Sequence, residues 1–211
     1  MKIKDLFPSE DMLSRWIVGL SIIHNQLKYI EEQALSLLRR KQIQFIVEDM
    51  SPQFRFMCST LREAIWYLYK TREEKEIEEF INILPSHVKQ EYETIMKLFI
   101  GNEDEDILQR MRDVRDRSFH FPKPNDNRHN ELKEALENLK EQTVIEGNQE
   151  YFLFGTQIGD YIMYKSFLRT EEFNSEYERS LVGIKKVKEA FQEYIKFSRE
   201  AINFYISHRT G

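Results

Sequence analysis

The densest chemistry in the chain lies in residues 108–122. They read Leu108-Gln109-Arg110-Met111-Arg112-Asp113-Val114-Arg115-Asp116-Arg117-Ser118-Phe119-His120-Phe121-Pro122. Four residues separate Arg115 from His120. A polar residue, Asp116, directly follows the arginine, and an aromatic, Phe121, directly follows the histidine. Histidine titrates near neutral pH and can carry a proton. Arginine is a permanent, planar fork of donors that fits phosphate oxygens. A proton carrier beside a stabiliser of charge on phosphorus is what phosphodiester cleavage by a neighbouring hydroxyl requires.

The charge distribution points the same way. Arg72 to Asp106 holds four basic and eleven acidic residues, a net of -7. Arg110 to Arg128 holds Arg110, Arg112, Arg115, Arg117, Lys123 and Arg128 against Asp113, Asp116 and Asp126, a net of +3. A cationic segment in a chain of net charge -5 invites an anionic ligand. The competing explanation is a solvated helix face with pairs such as Asp113–Arg117 at helical spacing. In that case Arg115 pairs with an acid, and His120 favours the negative end of its helix.

This pattern resembles the signature of the HEPN superfamily of helical domains. That signature is an arginine, usually a polar residue after it, and a histidine a few residues on, late in an all-α bundle. The stretch Ser59-Thr60-Leu61-Arg62-Glu63-Ala64 is also similar to the family. The resemblance implies a metal-independent endoribonuclease with Arg115 and His120 as its catalytic pair. It further implies a homodimer whose interface holds a composite site, cleavage that leaves a cyclic phosphate, and a toxin–antitoxin or phage-defence setting with a neutralising protein partner. His120 would transfer the proton, and Arg115 would orient and stabilise the phosphate. Asp116 would orient one of them, although the family more often has Asn there. Arg112, Arg117 and Lys123 would support RNA binding. Some similar domains bind or scaffold without cleaving, so a noncatalytic protein–protein interaction module is the alternative. On one unbroken helix, residues five apart lie about 140° from each other. The pair converges only if the helix frays before Pro122, or if two protomers share a cleft.

Other candidates carry less. His24, His87, His129 and His208 lack the close spacing of a metal site. Glu31-Glu32, Glu73-Glu74 and Glu78-Glu79 do not form the Glu-x-x-His pairs of di-iron bundles. There is no phosphate loop or dinucleotide fingerprint, and no cofactor or metal is expected. Cys58, the only cysteine, sits in the apolar run Phe56-Met57-Cys58 and reads as a packed thiol in a reducing, cytoplasmic compartment. Trp16 and Trp66 both fall on apolar helical faces and read as core residues rather than base-stacking platforms.

The elements that must position the pair read as helices. Ser9 or Asp11 caps the first, whose apolar residues Leu13, Ile17, Leu20, Ile23, Leu27, Ile30, Ala34 and Leu37 step by threes and fours. Ser51-Pro52 signals the start of a second, with Phe56, Leu61, Ala64, Ile65, Leu68 and Tyr69 inward. Thr71 to Glu74 resembles a capping box for a short segment to about Leu84. Pro85-Ser86 opens a helix that ends near Gly101. Asn102 or Asp104 opens the next, with Ile107, Leu108, Met111 and Val114 inward and a stop at Phe119 to Phe121 before Pro122. A loop at 122–127 and a helix from about Arg128 to Val144 follow. Residues 150–154 and 160–164 fit a hairpin, or the second stretch fits a helix through Ile158, Ile162 and Leu168; the helix is preferred. The last helix runs from about Tyr177 to Ser207.

Composition agrees. With Gly 7 and Pro 5, the chain is poor in the turn residues that sheets demand. Its 211 residues suffice for a core without staples. No apolar run reaches the roughly 20 residues of a membrane span, and no apolar signal region follows Met1-Lys2-Ile3-Lys4-Asp5. The expectation is one soluble all-α domain, a bundle of about six to eight helices over residues 1–211.

Overall fold

The computed structural model describes residues 2–39, 43–100, 108–109, 111–112, 114–116, 137 and 176–210; at the ends of the longer helices it describes the backbone alone. Six helices are bounded: α1 (Ile3–Leu6), α2 (Met12–Arg39), α3 (Ile43–Thr71), α4 (Lys75–Ile83), α5 (Ser86–Ile100) and α6 (Glu176–Thr210). The described positions between 108 and 116 are helical as well, and so is Glu137. No strand occurs among the described residues, so the all-α class is as the periodicity indicates. The hairpin or helix at 150–168, the loop at 122–127 and nearly all of the helix expected from Arg128 to Val144 lie outside the described residues.

Asp11 starts α2. Its Oδ1 accepts the Leu13 N–H at 3.1 Å, its carbonyl accepts the Arg15 N–H at 3.1 Å, and Ser14 Oγ donates to its Oδ2 at 2.6 Å. The second helix differs from expectation: α3 begins at Ile43 and runs through Ser51-Pro52. Pro52 removes one backbone donor, but Ile43, Ile46 and Met50 extend the apolar spacing of Phe54, Met57 and Leu61 upstream of it. Nor does Thr71 form a capping box. Its hydroxyl donates back to the Tyr67 carbonyl at 2.9 Å and accepts the Trp16 Nε1–H at 2.9 Å, and α4 is instead preceded by Glu74. The hydroxyl therefore ties α3 to α2 and closes α3.

Short α1 has no apolar stripe to announce it. It is held by tertiary contacts: Phe7 stacks on Tyr205 at 5.6 Å, and Tyr205 Oη donates to the Leu6 carbonyl at 3.3 Å. Helix α2 packs on α3 and α6, and α6 packs on α5. Ile17, Leu20 and Leu27 of α2 meet Leu61, Ile65 and Leu68 of α3 and Tyr194 and Phe197 of α6 in one fully buried cluster. Burying a side chain of this size contributes about 1.5–3 kcal/mol. Tyr194 Oη spans the core to the Ala64 carbonyl at 3.2 Å, which satisfies a polar atom that burial would otherwise strand. Cys58 is fully buried, and burial pushes its thiol pKa up, so it is the packed thiol expected. Phe56, expected inward, is 50% exposed, because it lies about a quarter-turn outside the stripe of Met57, Cys58 and Leu61.

At Gly19, α2 and α3 approach closely. A Cβ there would lie 2.9 Å from Tyr67 Cζ and nearer still to its hydroxyl oxygen. That hydroxyl donates to the Trp16 carbonyl at 3.1 Å. Glycine at this position lets α3 sit close enough to α2 to fix which α3 face turns outward.

Candidate functional site

The segment that carries Arg115 is anchored from below. Met111 and Val114 are fully buried and Leu108 packs against the core, as the inner stripe requires; Ile107 lies outside the described residues. With one side of the segment buried, Arg112, Arg115 and Asp116 turn toward solvent.

Arg115 does not stand alone. Its Nη1 donates to Glu63 Oε1 of α3 at 2.8 Å, and its Nε lies 3.6 Å from Asp116 Oδ1. Its side chain is 34% exposed and that of Glu63 is 52% exposed. Asp116 also faces Arg112, with Oδ2 3.5 Å from Nε. Asp116 therefore does touch Arg115, as an orienting role requires, but a second and closer acid shares that task. An exposed pair of this kind contributes at most about 1 kcal/mol to stability, so its main effect is on where the guanidinium points.

Glu63 is the site residue that the sequence pattern left without a role. It lies 52 residues before Arg115, and its one sequence signal is its place in the stretch Ser59 to Ala64. It binds two cations at once: Arg62 Nη1 also reaches Oε1, at 2.6 Å. Arg62, Arg112 and Arg115 against Glu63 and Asp116 leave one positive charge in excess, together with N–H donors not engaged by the Glu63 oxygen. Chemically, such a cluster can accept a phosphate.

Trp66 corrects an expectation. It is only partly buried and does not join the core, whereas Trp16 does. The Arg62 guanidinium carbon lies 5.1 Å from the Trp66 ring centroid and Lys70 Nζ 4.7 Å from it, one turn before and one turn after. Tyr69 stacks beside Trp66 at 5.7 Å, and the Arg72 guanidinium carbon lies 3.7 Å from the Tyr69 ring centroid. At 100° per residue, Arg62, Glu63, Trp66, Tyr69 and Lys70 span about 120° of α3, opposite Leu61, Ala64, Ile65 and Leu68. Trp66 reads as core from the sequence because its neighbours Ile65 and Leu68 are core, but it sits one step around the helix from them.

Of the residues expected at the site, the structure brings together Arg112, Arg115 and Asp116. His120, Arg117 and Lys123 lie outside the described residues. Among the described residues no group of three or more His, Cys, Asp or Glu is placed to hold a metal ion. His24 bonds through Nδ1 to the buried Ser198 Oγ at 2.8 Å. Burial lowers its pKa, and the nearby Lys28 and Arg199 lower it further. No helix among the described residues is long and apolar enough to cross a membrane. No known family, no curated protein and no solved structure matches the chain to a significant degree.

Proposed function

We propose that the chain is a metal-independent endoribonuclease of the HEPN type, acting as a homodimer in a toxin or phage-defence role. The observation that carries this is the setting of Arg115. Its backbone is fixed by Met111 and Val114 in the core, while its guanidinium is partly exposed and aimed by Glu63 and Asp116. A catalytic cation needs that combination of fixed base and open end.

In this proposal the 2′-hydroxyl of RNA attacks the adjacent phosphorus. The O2′–P bond forms and the P–O5′ bond breaks, giving a cyclic phosphate and a free 5′-hydroxyl. His120 takes the 2′-hydroxyl proton, and a second imidazole, supplied by the dimer, protonates the leaving oxygen. Arg115 binds the nonbridging oxygens and offsets the charge that grows on them. Glu63 competes with the phosphate for Arg115, so substrate must displace or share that ion pair.

The Glu63–Arg115–Asp116 ion pairs favour a second reading, a noncatalytic interaction module in which Arg115 only joins α3 to the 108–116 segment. Expression in a bacterial host separates the two. A ribonuclease slows growth, and Arg115→Ala or His120→Ala relieves the arrest. Equal growth for all three proteins at equal expression favours the interaction module.

A further inference from the structure

One face of α3 carries a cationic run that the catalytic pair does not use; Lys70 on it is exposed and the Arg62 side chain is 16% exposed. Arg62 and Lys70 leave the helix eight residues apart, about 12 Å along its axis, but their charged groups converge on the Trp66 ring, at 5.1 and 4.7 Å from its centroid. Arg62 also shares the Glu63 oxygen with Arg115, so the run ends at the catalytic arginine. Among the described residues the connected cluster holds Arg62, Lys70, Arg72, Arg112 and Arg115 against Glu63, Glu73 and Asp116. It is net positive in a chain of net charge -5. Cations held on a ring have already lost part of their rotamer freedom, so binding an anion costs less ordering.

From these contacts we propose that this face of α3 is a track for the RNA backbone. Arg62 and Lys70, positioned by Trp66, bind successive phosphates on one side of the one that Arg115 engages. The proposal rests on the ribonuclease reading and specifies how its substrate lies. Neighbouring cations held on one ring can meet neighbouring phosphates, and phosphate contacts carry no sequence information. The track therefore adds affinity without sequence preference.

The test uses a fluorescent 2′-O-methyl RNA 12-mer, which lacks the attacking hydroxyl and stays intact. Its binding to the full chain is followed by anisotropy across a salt series. Lys70→Gln, at an exposed position, and Arg62→Gln are each expected to weaken binding several-fold on every probe sequence. Each should also flatten the log K against log salt slope by about 0.7, the loss of one phosphate contact on a single strand. Arg62→Lys should retain most of the slope. Lys185→Gln on α6 removes the same charge elsewhere and should bind as wild type does. Affinity and slope unchanged in both Lys70→Gln and Arg62→Gln overturn the track and leave the face to an acidic protein partner. So does an equal loss in Lys185→Gln. Cleavage of unmodified RNA is scored separately. Track-dependent binding without cleavage removes the catalytic reading and keeps the track; cleavage with unaltered binding in the variants does the reverse.

Discussion

Gly19→Ala sets helix propensity against packing, and the geometry decides the sign. Alanine in place of a mid-helix glycine gains up to about 1 kcal/mol of helix propensity. The added methyl, however, would lie 2.9 Å from Tyr67 Cζ and closer to its oxygen. Tyr67 is half-buried, and its hydroxyl is bonded to the Trp16 carbonyl at 3.1 Å. Moving the ring sacrifices that bond, worth about 1 kcal/mol, and overpacking the contact costs about 1–3 kcal/mol more. The balance is a net loss of about 1–3 kcal/mol. For a chain of this size a loss of 2 kcal/mol lowers Tm by roughly 4–8 °C. Urea denaturation followed by circular dichroism measures it. Tyr67→Phe removes the nearest atom, so the double variant should lose less than the sum of the two single changes. A Gly19→Ala protein as stable as wild type, or additive losses in the double variant, would refute the close approach of α2 and α3. With it would go the orientation of the α3 face that carries Glu63 and Trp66.

Two further outcomes are expected. Glu63→Gln should cost less than about 1 kcal/mol in stability. Under the proposed function it should lower kcat by on the order of 10- to 100-fold as Arg115 loses its aim, while KM falls because the competing carboxylate is gone; an unchanged kcat counts against a positioning role. At Asp11, burial raises the carboxyl pKa, but the Ser14 hydroxyl, the Arg209 charge and the backbone donors outweigh it and hold the pKa below its ordinary 3.8. The stability this adds is full above that value and is lost as pH falls through the lower folded value. Wild type and Asp11→Asn should therefore differ in Tm at pH 6 and converge below about pH 3.8, and a gap that is constant with pH would show that the charge is not responsible.

The helices were legible where apolar residues recur by threes and fours with a clear cap. Asp11, Pro85-Ser86 and the stripe from Ile17 to Ile30 are of this kind, because local spacing and capping chemistry act within a turn or two. The start of α3 was not legible, since Ser51-Pro52 offers a strong local start signal that the upstream apolar spacing outweighs. Thr71 misled for a related reason: its hydroxyl is claimed by Trp16, 55 residues away, before it can cap α4. At the site, local sequence pointed to Arg115, Arg112 and Asp116. It could not assign Glu63 a role, because that pairing depends on how α3 packs against the 108–116 segment. Trp66 was misplaced for a different reason: a step of 100° separates a core position from a half-solvated one, and a single aromatic does not declare which it occupies.

The most direct test of the proposed chemistry is incubation of a mixed RNA pool with the full chain in EDTA, with wild type, Arg115→Ala and His120→Ala run side by side. Wild type is expected to give fragments ending in a cyclic phosphate, and loss of the imidazole is expected to slow cleavage by about 10²–10⁴-fold. RNA left intact by wild type, or cut equally fast by His120→Ala, contradicts the assignment of Arg115 and His120 as a catalytic pair.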